Sequence, residues 1–574
     1  LICAAIPSGS YIRFAQYSRK NKMLFLGTDS KGIIVINENR VRSVKKKNID
    51  MRERNAYYSQ LELPGGNVLT NEGHVLGDGP VPDRLPVNGK FNYTISRIGD
   101  SLWYAQSSAA LKGQTLLHRY NYKTGETYIY KNLFPIQESF AIRRSGDSLY
   151  LVTSRGLGIL TDDAIQMLFH PPVTRGNIAA PYTMQEFTPG VLGVASCDGL
   201  ILYDIKKKTT DTLISEPGYC IRSIWKYKDY IFIGSYGKGF YIWKNGRLKS
   251  MPLDKNNFLQ YTHCFVADTA GFCWMSTNRG LFKAQLADLI DAFENNRSQV
   301  YYHYYGKNDG MDITEMNGGC APCAIELQNK TISFPTMDGL LWVNTEKARP
   351  LLPEGNVYVD EFTAGNRKIN PDSLEFIPVS PKARDITVKI GFAAWCNKEN
   401  IYLDYQLNGR NEWIPVDVNN GAYIKFSNLQ PGTYTLVIRK MNGFGVNNYS
   451  FKEIKFIIST PWYQQWWFYL LSILAVLGGI SLYLRYRTRQ YEVRQRKLEQ
   501  QVAEKTKELQ EQNEVLEKNN SIKTRLISII SHDIVTPLKF LNVAGKNLIE
   551  KRKLMSEDLQ VETLKEITNT RSEE

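Results

Sequence analysis

The chain has 574 residues, too many for one domain and enough for three or four. Its apolar share of 43% is that of folded protein, and 34 tyrosines, 24 phenylalanines, 10 tryptophans and 42 glycines point to extensive β structure. The formal charge is +14, but no helix-turn-helix or finger pattern accompanies it, and the basic residues are scattered apart from one block after an apolar stretch, so no direct nucleic-acid partner is expected.

The chain opens on Leu1 without an initiator Met or a signal-peptide pattern, and the expectation is an internal piece of a longer protein. Residues 1–348 then carry a repeat: an apolar strand, a small-residue turn ending in Gly, and a second apolar strand. Copies run from Leu24 to Val35, Leu192 to Tyr203, Ile231 to Ile242, Cys273 to Phe282 and Ile332 to Trp342. The turn glycines are Gly32, Gly73, Gly113, Gly156 or Gly158, Gly199, Gly239, Gly280 and Gly339, spaced by about 40 residues except for the last gap. A strand repeat of that period predicts propeller blades of four antiparallel strands, with Gly supplying positive φ in the turn. Seven or eight blades are expected, and the first repeat is open to belonging to a preceding propeller. Asp29, Asp198 and Asp338 fall in the turns and read as turn-forming residues rather than catalytic acids.

Eight cysteines, Cys3, Cys197, Cys220, Cys264, Cys273, Cys320, Cys323 and Cys396, are too dispersed to read as a disulfide framework. Cys320 and Cys323 form a CxxC, open to a redox pair or half a metal site; without a second ligand pair it reads as structural or incidental, and no metal site is expected. His74, His118, His170, His263 and His303 show no ligand spacing.

A break at Pro350–Gly355 precedes residues 356–458, where alternating strands such as Ile386–Ile390 and Thr433–Ile438 predict a β-sandwich. Residues 466–484 carry no charge and are long enough for a transmembrane helix. Trp462, Tyr463, Trp466 and Trp467 flank one end, and Arg485, Arg487, Arg489, Arg494 and Arg496 the other, which puts the C-terminal flank in the cytoplasm. Residues 485–521 read as a signalling coiled coil: Leu498, Val502, Leu509, Leu516 and Leu526 mark a heptad seam with polar members, open also to a solvated connecting helix.

Residues 522–574 begin as a helical hairpin that carries Ser531, His532, Asp533, Ile534, Val535, Thr536, Pro537 and Leu538. This run resembles the phosphoacceptor box of two-component sensor histidine kinases, departing at Ile534 and at Val535, where an Arg is usual. A neutral imidazole at His532 suits attack on a γ-phosphoryl group, and the Asp533 carboxylate can orient the other ring proton. The resemblance implies that Thr536 positions a water for dephosphorylation of a response regulator; Pro537 would bend the helix.

The similarity extends further. Asn308–Met311, Asn317–Gly319 and Phe334–Thr336 resemble the closing blade of two-component-regulator propellers, and Tyr405–Gly409, Trp413 and Leu429–Tyr434 resemble the Y-Y-Y domain that follows them. The order resembles periplasmic-propeller sensor kinases, often hybrid ones. That implies a homodimer in the inner membrane, a periplasmic oligosaccharide ligand, a receiver-domain partner and, for a kinase domain supplied beyond Glu574 or by another protein, ATP and Mg; residues 533–574 hold no ATP-binding motif, and the chain itself is expected to hold no cofactor. A non-catalytic receptor using the hairpin only to dimerise, and a membrane-anchored glycan-binding or glycan-cleaving propeller, are the alternative readings.

Overall fold

The computed structural model describes residues 11–508 except 52, 80–90, 100–101, 109–114, 131–138, 154, 163, 171–172, 175–176, 179–182, 216–218, 320, 372–374 and 410–411. It divides into two compact units, residues 1–461 and 462–574.

The first unit is built almost wholly of small antiparallel sheets. A leading three-stranded sheet joins Ile12–Ser18, Met23–Thr28 and Ile33–Asn37. Among the described residues seven further sheets of three or four strands follow before residue 345, besides a two-stranded ribbon of Val173–Thr174 with Asn177–Ile178. Sheet 1 (from Gln60–Glu62 to Val75–Leu76) has three strands. Sheets 2 to 6 have four each, starting at Phe91–Ile98, Ser139–Ser145, Thr183–Thr188, Cys220–Tyr227 and Thr262–Ala267. Sheet 7 comprises Ile325–Leu327, Thr331–Thr336 and Gly339–Asn344, and its fourth strand is Arg42–Val44, from near the start of the chain.

Alternation explains how these sheets associate. Side chains at successive strand positions leave opposite faces, so a strand apolar at every position serves two cores at once. In sheet 5, Ile231 and Ile233 share a core with Leu200 and Phe187 of sheet 4, whereas Phe232 between them shares one with Phe282 and Met275 of sheet 6. In sheet 3, Leu151 packs with Leu117 of sheet 2 and Val152 with Val194 of sheet 4. Trp274 of sheet 6 joins Phe334 of sheet 7, Leu340 of sheet 7 joins Val68 of sheet 1, and Leu69 of sheet 1 joins Ile95 of sheet 2. The chain of shared cores therefore returns to its beginning, and Arg42–Val44 ties the last sheet to the residues that lead into the first.

The repeat glycines take positive φ as expected, for example +139° at Gly280 and +72° at Gly32, while Gly113 lies outside the described residues. The structure adds a second reason at Gly280: a Cβ there would lie 2.8 Å from the Tyr305 carbonyl oxygen, at the end of the fourth strand. The turns themselves are tied by hydroxyls. Thr277 and Thr336 donate to the carbonyls of Gly280 and Gly339 and accept the amides of Arg279 and Asp338. That hydroxyl-to-glycine pattern is the turn device the acidic residues were expected to supply. Asp338 instead pairs with Lys45 at 2.7 Å.

Residues 357–458 form two sheets around one core. Val357–Ala364 and Ile386–Phe392 are central in one, Gly432–Met441 and Tyr449–Ile458 in the other, and Phe362, Val388, Leu436 and Phe456 meet between them. This pair docks on sheet 6 through a buried polar seam. Arg439 ion-pairs with Asp404 at 2.9 Å, donates to Gln299 and stacks 4.0 Å over the Trp413 ring; Tyr402 donates to the Tyr302 carbonyl.

In the second unit, Trp466–Glu508 is one continuous helix, so the predicted apolar span and the first part of the predicted coil are a single element. Its segment Trp466–Val493 is long and apolar enough to cross a membrane, with a mean hydropathy of 1.9 and no burial against protein. Residues 509–521 of the predicted coil lie outside the described residues.

Candidate functional site

The residues expected to carry chemistry, His532, Asp533, Thr536 and Pro537, lie outside the described residues, as does Cys320. Cys323 is placed: it forms a disulfide with Cys264, and Cys197 forms another with Cys220. The dispersed cysteines thus include two cross-links, a correction to the sequence reading. Spacings of 23 and 59 residues hid them, because only the circuit of sheets brings the partners together. No group of three or more His, Cys, Asp or Glu side chains able to hold a metal is found among the described residues.

Both disulfides sit where the first strands of sheets 5 and 6 begin, and a polar-aromatic cluster lies beside them. Arg222 and His263 come from those strand starts; Tyr236 and Asn278 come from the ends of the second strands, at the same edge. His263 is buried and bonded through Nε2 to Asn278 Oδ1 at 2.5 Å, while Asn278 Nδ2 donates to the Tyr236 hydroxyl at 3.2 Å. With Asn278 Oδ1 as acceptor, His263 is the Nε2–H tautomer, and its Nδ1 is a buried acceptor without a hydrogen-bond partner. Burial holds its pKa down at about 4, helped by the Arg222 charge, so the ring is neutral at pH 7.

Tyr236 is the exposed member. Its ring is 42% accessible, yet Tyr261 meets it edge-on at 4.9 Å, His263 tilts against it at 5.8 Å and the Arg222 guanidinium lies 5.6 Å away over its face. An aromatic ring held on several sides and open on another is a pre-formed stacking platform. Its hydroxyl accepts from Asn278 and keeps its own proton to donate. The cluster can stack, donate hydrogen bonds and hold negative charge; none of its members is a carboxylate, so acid–base cleavage would need groups from elsewhere. Nothing in the sequence singled out this cluster, because its members lie 14 to 56 positions apart and only the sheet edge collects them.

His74 and His303 serve packing rather than this cluster. His74 bonds the Tyr57 hydroxyl at 2.8 Å, His303 is buried beside Asn400, and burial lowers the pKa of both. A small cleft of about 30 Å³ opens at the seam with the two-sheet pair, with Asp288 and Tyr449 among its walls.

No protein-family model matches the chain, and no curated protein matches it. Solved structures to which it is similar include an extracellular domain from B. thetaiotaomicron described as that of a one-component system, at 14% identity and a TM-score of 0.40, covering 79% of this chain and 62% of that one. Another is the extracellular domain of a protein described as a hybrid two-component system of the same organism, at 13% identity and a TM-score of 0.30, covering 78% and 68%. A third is PorZ of Porphyromonas gingivalis, described as a surface component of the type-IX secretion system, at 12% identity and a TM-score of 0.31, covering 76% and 68%. The chain thus spans less than two thirds of the first of these.

Proposed function

We propose that the chain is a transmembrane sensor of the two-component type. Its sheets 1 to 7 form a seven-bladed propeller which, with the two-sheet pair as a β-sandwich, lies outside the cytoplasm; His532 is the phosphoacceptor within. The observation that carries the reading is the run Ser531–Leu538, placed beyond an apolar helix whose C-terminal flank is rich in arginine. The closed series of shared cores favours the propeller, and two disulfides in the first unit favour an oxidising compartment for it.

In this reading an oligosaccharide stacks on Tyr236 and is held by Arg222. The dimer then changes its packing through the helix, and a phosphoryl group passes from ATP, bound with Mg by a kinase domain, to His532 and on to a receiver-domain aspartate. Asp533 orients the imidazole, and Thr536 serves the reverse, water-dependent step.

The test is phosphorylation of the native-length protein in membranes with radiolabelled ATP. Acid-labile, alkali-stable label that disappears in His532→Gln is expected. Label that survives the substitution sinks the reading. Tyr236→Ala should weaken binding of a glycan panel to the same membranes by on the order of tenfold, the effect of losing an aromatic stacking partner at a hot spot.

A further inference from the structure

Residues 303–324 comprise the last strand of sheet 6, His303–Tyr305, and the connection from it to sheet 7, which is far longer than a blade-to-blade turn needs and is tied down at many points. At its start it belongs to the seam with the two-sheet pair. Asn400 brackets Tyr304: its Oδ1 accepts the Tyr304 amide and its Nδ2 donates to the Tyr304 carbonyl. Asp309, buried, accepts from Arg40 at 2.9 Å, from Asn397 Nδ2 at 2.7 Å and from the Gly306 amide at 2.9 Å. Asn397 and Asn400 flank one short helical turn of the two-sheet pair, Lys398–Asn400, so that turn is fastened to the connection twice.

The middle of the connection runs along sheets 6 and 7. The Met316 amide donates to the Thr277 carbonyl and the Asn317 amide to that of Pro335. Its far part then crosses the circuit of sheets. Asn317 Nδ2 donates to the Tyr57 carbonyl ahead of sheet 1. Gly318 lies so close to His263 of sheet 6 that a Cβ would fall 2.5 Å from that side chain, and at Gly319, at φ +74°, a Cβ would fall 2.8 Å from the Arg222 side chain of sheet 5. Ala321 packs on the core shared by sheets 3 and 4. Cys323 returns to Cys264 of sheet 6. Its described residues therefore touch sheets 3 to 7 and the stretch leading into sheet 1 at one end and grip the two-sheet pair at the other.

We propose that residues 303–324 are a transmission strap that couples the strand-start edge of sheets 5 and 6 to the two-sheet pair. Cys264–Cys323 is its anchor in the circuit, and the Asn397–Asn400 turn is its receiver. A segment that is hydrogen-bonded at intervals from Tyr304 to Asn317, closely packed at Gly318 and Gly319 and cross-linked at Cys323 has little slack, so a shift of sheets 5 and 6 at Gly318 and Gly319 reaches Asp309 as a shift of backbone. The strap also forms the wall behind His263, which places the Tyr236 cluster on the element that moves. Its use as a signal path rests on the sensor reading above; the coupling itself is measured without any phosphoryl transfer.

Coupling is reciprocal, and that supplies the test. Hydrogen exchange of the full chain in detergent, read by mass spectrometry, is compared among variants. Cys264→Ser/Cys323→Ser should speed exchange in 396–404 by on the order of tenfold, in addition to its local effect at 316–324. Asn397→Ala/Asn400→Ala should in turn speed exchange at 316–324. Cys197→Ser/Cys220→Ser, which removes a cross-link of the same edge without touching the strap, should leave 396–404 unchanged. Should the first double variant lose global protection, Asn317→Ala, which removes only the bond to Tyr57, should still act on 396–404. Exchange that rises only around the substituted residues, in either direction, overturns the proposal, as does an equal response of 396–404 to loss of Cys197–Cys220.

Discussion

The leading sheet and sheet 5 are written in nearly the same pattern and end unequally covered. Leu24 to Val35 and Ile231 to Ile242 each give an apolar strand, a hydroxyl-to-glycine turn and a second apolar strand. In sheet 5 the central Ile231, Phe232 and Ile233 are wholly buried, because sheets 4 and 6 cover both faces. In the leading sheet Leu26 is buried, but Leu24 and Phe25 are only half-buried, and Tyr17 and Ile33 on the flanking strands each remain 58% accessible. The pattern determines the hairpin, whereas burial belongs to the neighbour that covers it.

The largest effect that sharpens this contrast is expected at Phe232. Phe232→Ala should cost about 3–5 kcal/mol, since the cavity opens in a core walled by two sheets. Urea denaturation of the first unit's transition measures it, and a loss below about 1 kcal/mol would mean that the sheet 5–6 core is not closely packed. The glycines give the second contrast. Gly280→Ala forces both a strained φ and a contact 2.8 Å from the Tyr305 carbonyl, and should cost about 3 kcal/mol. Gly32→Ala meets nothing within 4 Å and carries the left-handed penalty alone, about 1 kcal/mol. Equal losses at the two positions would show that the fourth strand does not confine Gly280.

How much of this was readable beforehand follows from range. The strand repeat, its glycines and the apolar helix are local patterns, and each corresponds to an element at or near the expected place. The Thr336 hydroxyl was equally local, but Asp338 in the same turn drew the assignment. Arg42–Val44 could not be read as the fourth strand of sheet 7: three residues carry almost no periodicity, and their partners lie some 300 positions away. The same holds for Cys264 with Cys323 and for Asp309 with Asn397, where an asparagine in a turn looks like any loop residue until the two-sheet pair is docked. The Tyr236 cluster is a product of topology, assembled at an edge from two sheets.

A pH experiment probes the covered region from within. His263 is neutral in the folded chain, its pKa held at about 4 against about 6.5 when unfolded. A depressed histidine pKa contributes its stability fully above the unfolded value, and the contribution falls as the pH drops from 6.5 towards 4. By pH 5 about 2 kcal/mol should be lost relative to pH 7. His263→Gln keeps a donor for Asn278 and should flatten that part of the decline in melting temperature. A decline that is unchanged in the variant would assign it to His74, His118 and His303, which burial lowers in the same direction.

The smallest expected effect is the one that tests the leading sheet itself. Ile33 sits in the second strand of its hairpin, Met23–Thr28 with Ile33–Asn37, as Phe240 sits in that of sheet 5, but its side chain faces solvent where Phe240 is buried. Ile33→Thr keeps the β-branch that suits a strand and removes only exposed apolar surface, so its cost should stay within about 0.5 kcal/mol. The urea midpoint read for Phe232→Ala serves here too. If Ile33→Thr instead destabilises by several-fold more, its face is covered in solution, and the leading sheet is packed as the other seven are. The contrast between the two hairpins would then collapse into one rule, that every copy of this repeat is stable only between two neighbours.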